Sequence, residues 1–158
     1  MNVRLGTVND LATIIHHRRS MFYAMGYTDV AALDRMEGTA APFLQKAMEK
    51  GEYHAWLVEI DGKVVAGGGV LNIGLPSTTR DVESRRAMIL NMYTEPEHRG
   101  KGLARLIMEA MILWCREQGY NSVSLHASDA GRRLYESLGF APTNEMRLRF
   151  TSTDRKGF

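Results

Sequence analysis

Residues 92–104 read Met-Tyr-Thr-Glu-Pro-Glu-His-Arg-Gly-Lys-Gly-Leu-Ala. An apolar strand, a glycine-rich turn and an amphipathic helix follow one another there without a break. The N–H groups of such a turn converge on one point, and the first turn of the helix adds unpaired donors and the positive end of its dipole. Gly100 and Gly102 lack the Cβ atoms that would keep a diphosphate away from this backbone. The stretch therefore predicts a phosphate-binding loop.

The spacing of this loop excludes two common phosphate-binding motifs. A Walker A loop needs Ser or Thr after its Gly-Lys pair, but Gly102 follows Gly100-Lys101. A dinucleotide-binding fingerprint needs a small residue at its sixth position, which is Arg105 here. The pattern Arg-x-x-Gly-x-Ala at 99–104 instead resembles the pyrophosphate loop of the GNAT superfamily, the acyl-CoA-dependent N-acyltransferases.

A second segment resembles the other signature of that superfamily, Asn-x-x-Ala-x-x-Leu-Tyr-x-x-x-Gly-Phe. Residues 128–140 read Ser-Asp-Ala-Gly-Arg-Arg-Leu-Tyr-Glu-Ser-Leu-Gly-Phe. The Leu-Tyr and Gly-Phe pairs match, whereas Ser128 replaces the usual Asn and Gly131 the usual Ala. The two motifs occur in the order that the superfamily has, so together they are far more specific than either alone.

The resemblance covers residues 2–150 in the order of elements, and 88–140 carry the motifs. It implies an α/β fold of the α+β type, with a mixed, mostly antiparallel, twisted sheet of six to seven strands and about four flanking helices. A parallel central pair of strands would splay apart, and acetyl-CoA would bind in the split as the co-substrate.

The resemblance also implies which residues hold the cofactor. The pantetheine arm would pair with the backbone of the strand before the loop, and the diphosphate would bind the loop itself. The expected cofactor-binding residues are Met92, Tyr93, Thr94, Arg99, Gly100, Lys101, Gly102, Leu103, Ala104 and Ser128.

Acetyl transfer to an amine needs two proton movements: an alkyl ammonium must lose a proton, and the departing thiolate is released more easily if it gains one. Tyr135 suits the second step, because a phenol with a reference pKa of about 10 is protonated at neutral pH. By resemblance it is the general acid, and packing on a short helix is its alternative role. For the base, His126 competes with Asp81, Glu83 and a water chain.

Periodicity and turn residues predict the other elements. The predicted helices cover about 10–25, 29–50, 103–118 and 130–137, and the predicted strands lie near 3–5, 53–60, 63–73, 87–93, 122–127, 140–142 and 145–150. The second helix should break near Gly38 or before Pro42. Asp61-Gly62 predicts a hairpin turn, and the polar residues 74–86 a mobile loop.

Length and composition indicate one domain. A chain of 158 residues with 44% hydrophobic content fits a single domain at 1–150, followed by a C-terminal tail at 151–158. The net charge of +2 does not favour nucleic acid as a partner. Residues 98–158 carry 10 Lys/Arg and 6 Asp/Glu, against 10 and 12 in residues 1–97. The basic part therefore contains the phosphate loop, which suits a polyanionic cofactor; a solvated basic face is the alternative interpretation.

Single residues exclude further chemistry. Cys115 is the only cysteine, so no intrachain disulfide forms, and its helical position favours core packing over an acetyl-enzyme. We expect no metal, since no Cys/His cluster occurs. His16 and His17 are expected at the surface. Met21 and Met25 are candidates for an adaptable acceptor pocket.

The chain is accordingly predicted to be an N-acetyltransferase. It would transfer an acetyl group from acetyl-CoA to a primary amine, on a small molecule or a peptide, by direct attack in a ternary complex. A non-catalytic acyl-CoA-binding regulatory module is the alternative. No signal core and no run of eighteen apolar residues occurs, so we expect a cytoplasmic protein without a membrane partner. Proteins of this kind are commonly homodimers.

Overall fold

The computed structural model describes residues 2–150, and the predicted tail at 151–158 lies outside them. Within this range the chain forms five strands and four helices. In chain order they are β1 (Asn2–Leu5), α1 (Leu11–Ala24), α2 (Val30–Glu49), β2 (Tyr53–Ile60), β3 (Lys63–Gly74), β4 (Arg85–Thr94), α3 (Leu103–Glu117), β5 (Val123–Leu125) and α4 (Arg132–Ser137).

The five strands form one sheet in the order β1-β2-β3-β4-β5. The first three pairings are antiparallel and β4–β5 is parallel. A mixed, mostly antiparallel sheet with four helices is therefore confirmed, as is the hairpin at Asp61-Gly62, where φ is 50° and 74°. The prediction of six to seven strands is wrong for the described residues, and the parallel pair lies at an edge of the sheet rather than at its centre.

The missing strands are those predicted at 140–142 and 145–150. All residues from 141 to 150 are exposed and form no ladder. Met146 and Leu148, which alternate with arginines, are 94% and 78% exposed. An alternating pattern shows which side chains would share a face, but a strand also needs a backbone partner, and Pro142 lacks an N–H to donate.

The sheet separates two apolar layers. On one face α3 and α4 cover a core that includes Trp56, Val70, Ile89, Ile107, Met108, Met111 and Tyr135. On the other face α1 and α2 cover Ile14, Ile15, Leu44, Ala47, Tyr53, Ala55 and Leu57. Helix α2 is continuous through Gly38 and Pro42, so its predicted break is wrong. Burial of Leu33, Leu44 and Ala47 against its neighbours stabilises the helix in spite of the proline.

The glycine run of β3, Gly67-Gly68-Gly69, lets both layers approach the sheet closely. A Cβ on Gly67 would lie 3.0 Å from Nδ1 of His17, and one on Gly69 would collide with the ring of Tyr53. A Cβ on Gly68 would collide with the sulfur of Met92 on the opposite face. The three missing side chains thus make room for larger groups beside β4.

Candidate active site

A β-bulge interrupts β4 at its centre. Asn91 and Met92 together oppose the single residue Gly68 of β3. Asn91 has φ of 59°, in the left-handed region that non-glycine residues seldom adopt. The extra residue turns the buried side chain of Asn91 toward α1, where it meets Arg18.

The pairing of β4 with β5 ends just before this bulge. Their parallel ladder joins residues 87–89 to 123–125 only, whereas β4 continues to Thr94. In the described part of the chain no strand covers this side of residues 90–94. The open edge includes Met92, Tyr93 and Thr94, whose backbone was predicted to pair with the pantetheine arm.

The loop after β4 is built around two left-handed glycines. Gly100 and Gly102 have φ of 73° and 80°, and a Cβ on either would have no protein atom within 4 Å. Gly102 is the N-cap of α3, and no side chain caps the helix. Within residues 2–150, the N–H groups of 100–105 find no acceptor. Six consecutive donors are therefore left without a protein partner at the end of α3 where the helix dipole is positive.

The side chains of this loop contribute less than its backbone. Nε of Arg99 donates to the carbonyl of Thr94 at 3.0 Å, and its guanidinium lies 5.7 Å from the ring centroid of Tyr93. Arg99 therefore braces the junction between strand and loop. Lys101 is exposed, and Leu103 is packed in the core, which leaves only its N–H for a ligand.

Tyr135 lies buried on α4. It is 8% exposed, burial raises the pKa of its phenol, and its ring centroid lies 6.1 Å from that of Phe140. A Cβ on Gly131 would come within 2.6 Å of the Tyr135 ring. The alanine that the family pattern has at this position would therefore collide with the Tyr135 ring where it lies in this structure. Oγ of Ser128 accepts the N–H of Gly131 at 3.2 Å and so fixes the turn before α4.

The candidate bases lie at opposite ends of the parallel pair. His126 follows β5 directly at the end where the strands part, and its Nε2 lies 3.0 Å from Nη2 of Arg147. Asp81 accepts a 2.7 Å hydrogen bond from Asn121, which precedes β5, and Glu83 lies 3.9 Å from Arg85 at the start of β4. The structure therefore brings His126 to the split and keeps Asp81 and Glu83 away from it.

A buried polar network at the bulge was not predicted as a site. Nη1 of Arg18 donates to Oδ1 of Asn91 at 2.7 Å, and Nδ2 of Asn91 donates to the hydroxyl of Tyr53 at 2.9 Å. Burial raises the pKa of Tyr53 to about 12 and lowers the pKa of the Arg18 guanidinium. The signal in the sequence was a single amide in the middle of an apolar strand.

The prediction that His17 lies at the surface is wrong. It is 2% exposed, its ring centroid lies 5.2 Å from that of Tyr93, and its Nε2 lies 3.8 Å from Glu95. Burial lowers its pKa to about 4. His17 stands three residues after Ile14, so the helical period already placed it on the buried face of α1. His16 is exposed, as expected.

Two cavities flank α1. One of about 480 Å³ lies between α1 and the end of β4, where Ser20, Tyr93 and Arg99 are among its lining residues. The other, of about 460 Å³, lies where α1 meets α2 and includes Phe22 and Met36. Neither Met21 nor Met25 is among the residues that line these two cavities, and the acceptor pocket expected from them stays a prediction.

Cys115 is buried, and burial raises the pKa of its thiol to about 11, which agrees with core packing. In the described range, no three His, Cys, Asp or Glu side chains gather where they could hold a metal ion. Over the same residues, no helix has the length and apolar character to cross a membrane.

A strand that parts from its neighbour beside a glycine-capped helix is the arrangement expected of acyl-CoA-dependent acyltransferases. The chain belongs to the acetyltransferase (GNAT) family, whose family model matches residues 14–140. It is 30% identical to human N-acetyltransferase 8B over 122 residues, which cover 75% of this chain and 50% of that protein. An uncharacterized N-acetyltransferase of Escherichia coli K12, YjgM, is 36% identical over 88 residues, 54% of this chain and 49% of that one. The chain thus spans about half the length of the curated relatives it matches.

Solved structures show the same fold over almost the whole chain. A GCN5-related N-acetyltransferase from Ralstonia eutropha has a TM-score of 0.88 at 30% identity, covering 94% of this chain and 97% of its own. A predicted acetyltransferase from Clostridium acetobutylicum, solved with acetyl-CoA, has a TM-score of 0.85 at 23% identity and covers 97% of each chain.

Proposed function

We propose that the protein transfers an acetyl group from acetyl-CoA to a primary amine of a small molecule or peptide, by direct attack in a ternary complex. The observation that carries this proposal is the row of unpaired N–H donors at 100–105, beside the open edge of β4, in a chain of the GNAT family. The acetyl-CoA in the Clostridium acetobutylicum structure supports the choice of cofactor.

The proposed cofactor position follows from the two adjacent features. The diphosphate binds the unpaired N–H groups of residues 100–104, beside the side chain of Arg99, and the arm lies along the backbone of residues 92–94. Because the arm runs back from the loop, its thioester end comes to the bulge at Asn91. Ser128 stands where the family pattern has Asn, and it is proposed as a further contact from the far side of the split.

In the proposed reaction the amine loses a proton and its nitrogen attacks the thioester carbonyl carbon. The C–N bond forms, the C–S bond breaks, and the thiolate takes a proton from Tyr135. Burial keeps this phenol protonated, as an acid must be before the reaction. His126 is the favoured base, directly or through water, because it lies at the split whereas Asp81 and Glu83 lie at the other end of the parallel pair.

The alternative is an acyl-CoA-binding module without catalysis. Its support is that Tyr135 packs against Phe140 and would be retained for the core alone. A cytoplasmic location is a further proposal, and so is a homodimer, which the resemblance implies. Sedimentation velocity would measure the second, and a sedimenting monomer at all concentrations would contradict it.

The test combines binding with turnover. Calorimetry should show saturable binding of acetyl-CoA, and release of CoA thiol should depend on an added amine and match the amount of N-acetylated product. Binding without amine-dependent release across a broad panel would support the module instead. Absence of both would overturn both proposals.

A further inference from the structure

Arg18 is a half-buried cation that faces the bulge of β4. Its Nη1 donates to Asn91, and its guanidinium carbon lies 5.0 Å from the ring centroid of Phe22. Its Nε is buried and donates to no described residue. Within residues 2–150 no Asp or Glu forms an ion pair with it. Partly buried charges normally have a charged partner, because desolvation is otherwise uncompensated.

The neighbouring arginine provides the comparison. Nη1 of Arg19 contacts Asp34 at 2.8 Å and Glu37 at 2.5 Å, which ties α1 to α2. Arg19 is therefore supplied with carboxylates by the fold itself. Arg18, one residue before it, has the neutral amide of Asn91 as its one hydrogen-bond partner among the described residues.

Asn91 holds Arg18 in a defined position. An arginine only donates hydrogen bonds, so the amide oxygen of Asn91 must face Arg18 and its nitrogen must face Tyr53. Tyr53 is 2% exposed and Asn91 is 4% exposed, so neither can turn away freely. Nη2 of Arg18 forms no hydrogen bond with any described residue. Unlike Nε, this nitrogen is not buried, so it remains available to a ligand.

We propose that Arg18 binds a carboxylate on the acceptor, so that the substrate is an amine that also carries a carboxylate, such as an amino acid. This inference rests on the proposed function, which brings the thioester to the bulge beside Arg18. A guanidinium matches a carboxylate in both charge and planar donor geometry. The bound carboxylate would be the charged partner that Arg18 lacks within the described chain. It would also hold the amine near the acyl group.

Matched acceptors test the proposal on the whole chain. Thiol release is measured with phenylalanine, phenylalaninamide and phenethylamine, and with the corresponding sets for a small and a basic amino acid. The carboxylates should exceed their amides in kcat/KM by about tenfold or more, mainly through KM. Phosphoethanolamine tests the competing anion, and a preference for it over every carboxylate would overturn the proposal.

Variants identify the residue responsible. Arg18→Met should reduce the carboxylate preference to parity by raising KM for the acids and leaving the amides unchanged. Arg18→Lys should retain part of the preference. Arg19→Met makes the same change of charge one residue away and should leave the preference intact. Equal loss for acids and amides in Arg18→Met would mean that Arg18 is only structural.

Product binding separates this proposal from the proposed function. Calorimetry in the presence of CoA compares N-acetylphenylalanine with N-acetylphenethylamine and needs no turnover. Tighter binding of the acid, lost in Arg18→Met, would support the carboxylate site even if no amine were acetylated. Equal binding in the wild type would overturn it, and this comparison also decides the matter if Arg18→Met fails to fold.

Discussion

The two ends of the unpaired part of β4 differ in the groups that they offer to a ligand: backbone N–H groups at one end and side chains at the other. At its carboxyl end the loop at 99–104 offers backbone N–H groups around two glycines, and its side chains are exposed, packed in the core or engaged in bracing the loop. At the bulge, side chains of three elements meet. Asn91 contacts Arg18, which is 73 positions away in the sequence, and Tyr53, which is 38 positions away. A backbone site suits a ligand shared by a whole family, whereas a side-chain site can change with the acceptor.

The largest expected effect is that of Tyr135→Phe. The variant keeps the ring and its packing but deletes the hydroxyl, so turnover should fall about a hundredfold while affinity for acetyl-CoA stays nearly unchanged. Steady-state kinetics with a responsive amine and calorimetry with acetyl-CoA measure the two quantities. Wild-type turnover in this variant would mean that Tyr135 only packs in the core and is not the general acid.

Two further variants control this result. Tyr120→Phe removes a phenol near the other end of β5 and should leave turnover unchanged. Gly131→Ala keeps the hydroxyl of Tyr135, but its methyl group would displace the ring. Turnover should therefore fall in Gly131→Ala as well, which would show that the position of the phenol matters as well as its presence.

At the backbone end, Gly102→Val should weaken acetyl-CoA binding about 30-fold. Its side chain would fill the space in front of the N–H donors, and loss of one hydrogen bond to a charged group is worth about 2 kcal/mol. Gly51→Val is the matched control, because Gly51 also has positive φ, 69°, and open surroundings. Both variants carry similar backbone strain, but only the first should lose affinity by calorimetry. Unchanged affinity in a folded Gly102→Val protein would refute this cofactor site.

His17 should make stability depend on pH between about 6.5 and 4. Its folded-state pKa of about 4 lies below the unfolded value, so the unfolded chain binds more protons in this range. The stabilisation is complete above pH 6.5 and is lost as the pH falls, by about 2 kcal/mol between pH 7 and pH 5.

Urea unfolding at the two pH values should show this loss in the wild type and in His16→Gln, but not in His17→Gln. A loss of equal size in His17→Gln would assign it to another group. Asp10 acts in a lower window, because its hydrogen bonds from Arg4 lower its pKa to about 2. Its contribution is present above about pH 4 and disappears as the pH falls toward 2.

The smallest effect is expected from Arg99→Ala. Its guanidinium is exposed, so acetyl-CoA affinity should fall by about threefold or less. Arg105→Ala, on the first turn of α3, provides a control of equal charge. A loss in Arg99→Ala greater than that in Gly102→Val would mean that side chains, and not the backbone, dominate cofactor binding.

The loop at 99–104 could be predicted from the sequence, whereas the network at the bulge could not. The glycines at 100 and 102 were informative because few residues tolerate φ near 75°, so the loop and the helix after it could be predicted from adjacent positions. The network of Arg18, Tyr53 and Asn91 could not be predicted, because it depends on sheet order and on a bulge that shifts the register by one residue. The prediction of strands at 140–142 and 145–150 was wrong for a related reason. Strand pairing involves two segments, whereas an alternating hydrophobic pattern describes only one of them.

The parting of β4 from β5 also bears on how the protein behaves in solution. An uncovered strand edge can pair with another chain as well as with a ligand, and folded proteins usually protect such edges. Residues 90–94 offer one in the described structure, at a place where charges and prolines that discourage pairing are absent. The cofactor arm would then also act as a cover, so preparations saturated with CoA should scatter less light on warming than ligand-free ones. Metabolite supply would in that way influence the colloidal stability of the protein as well as its turnover.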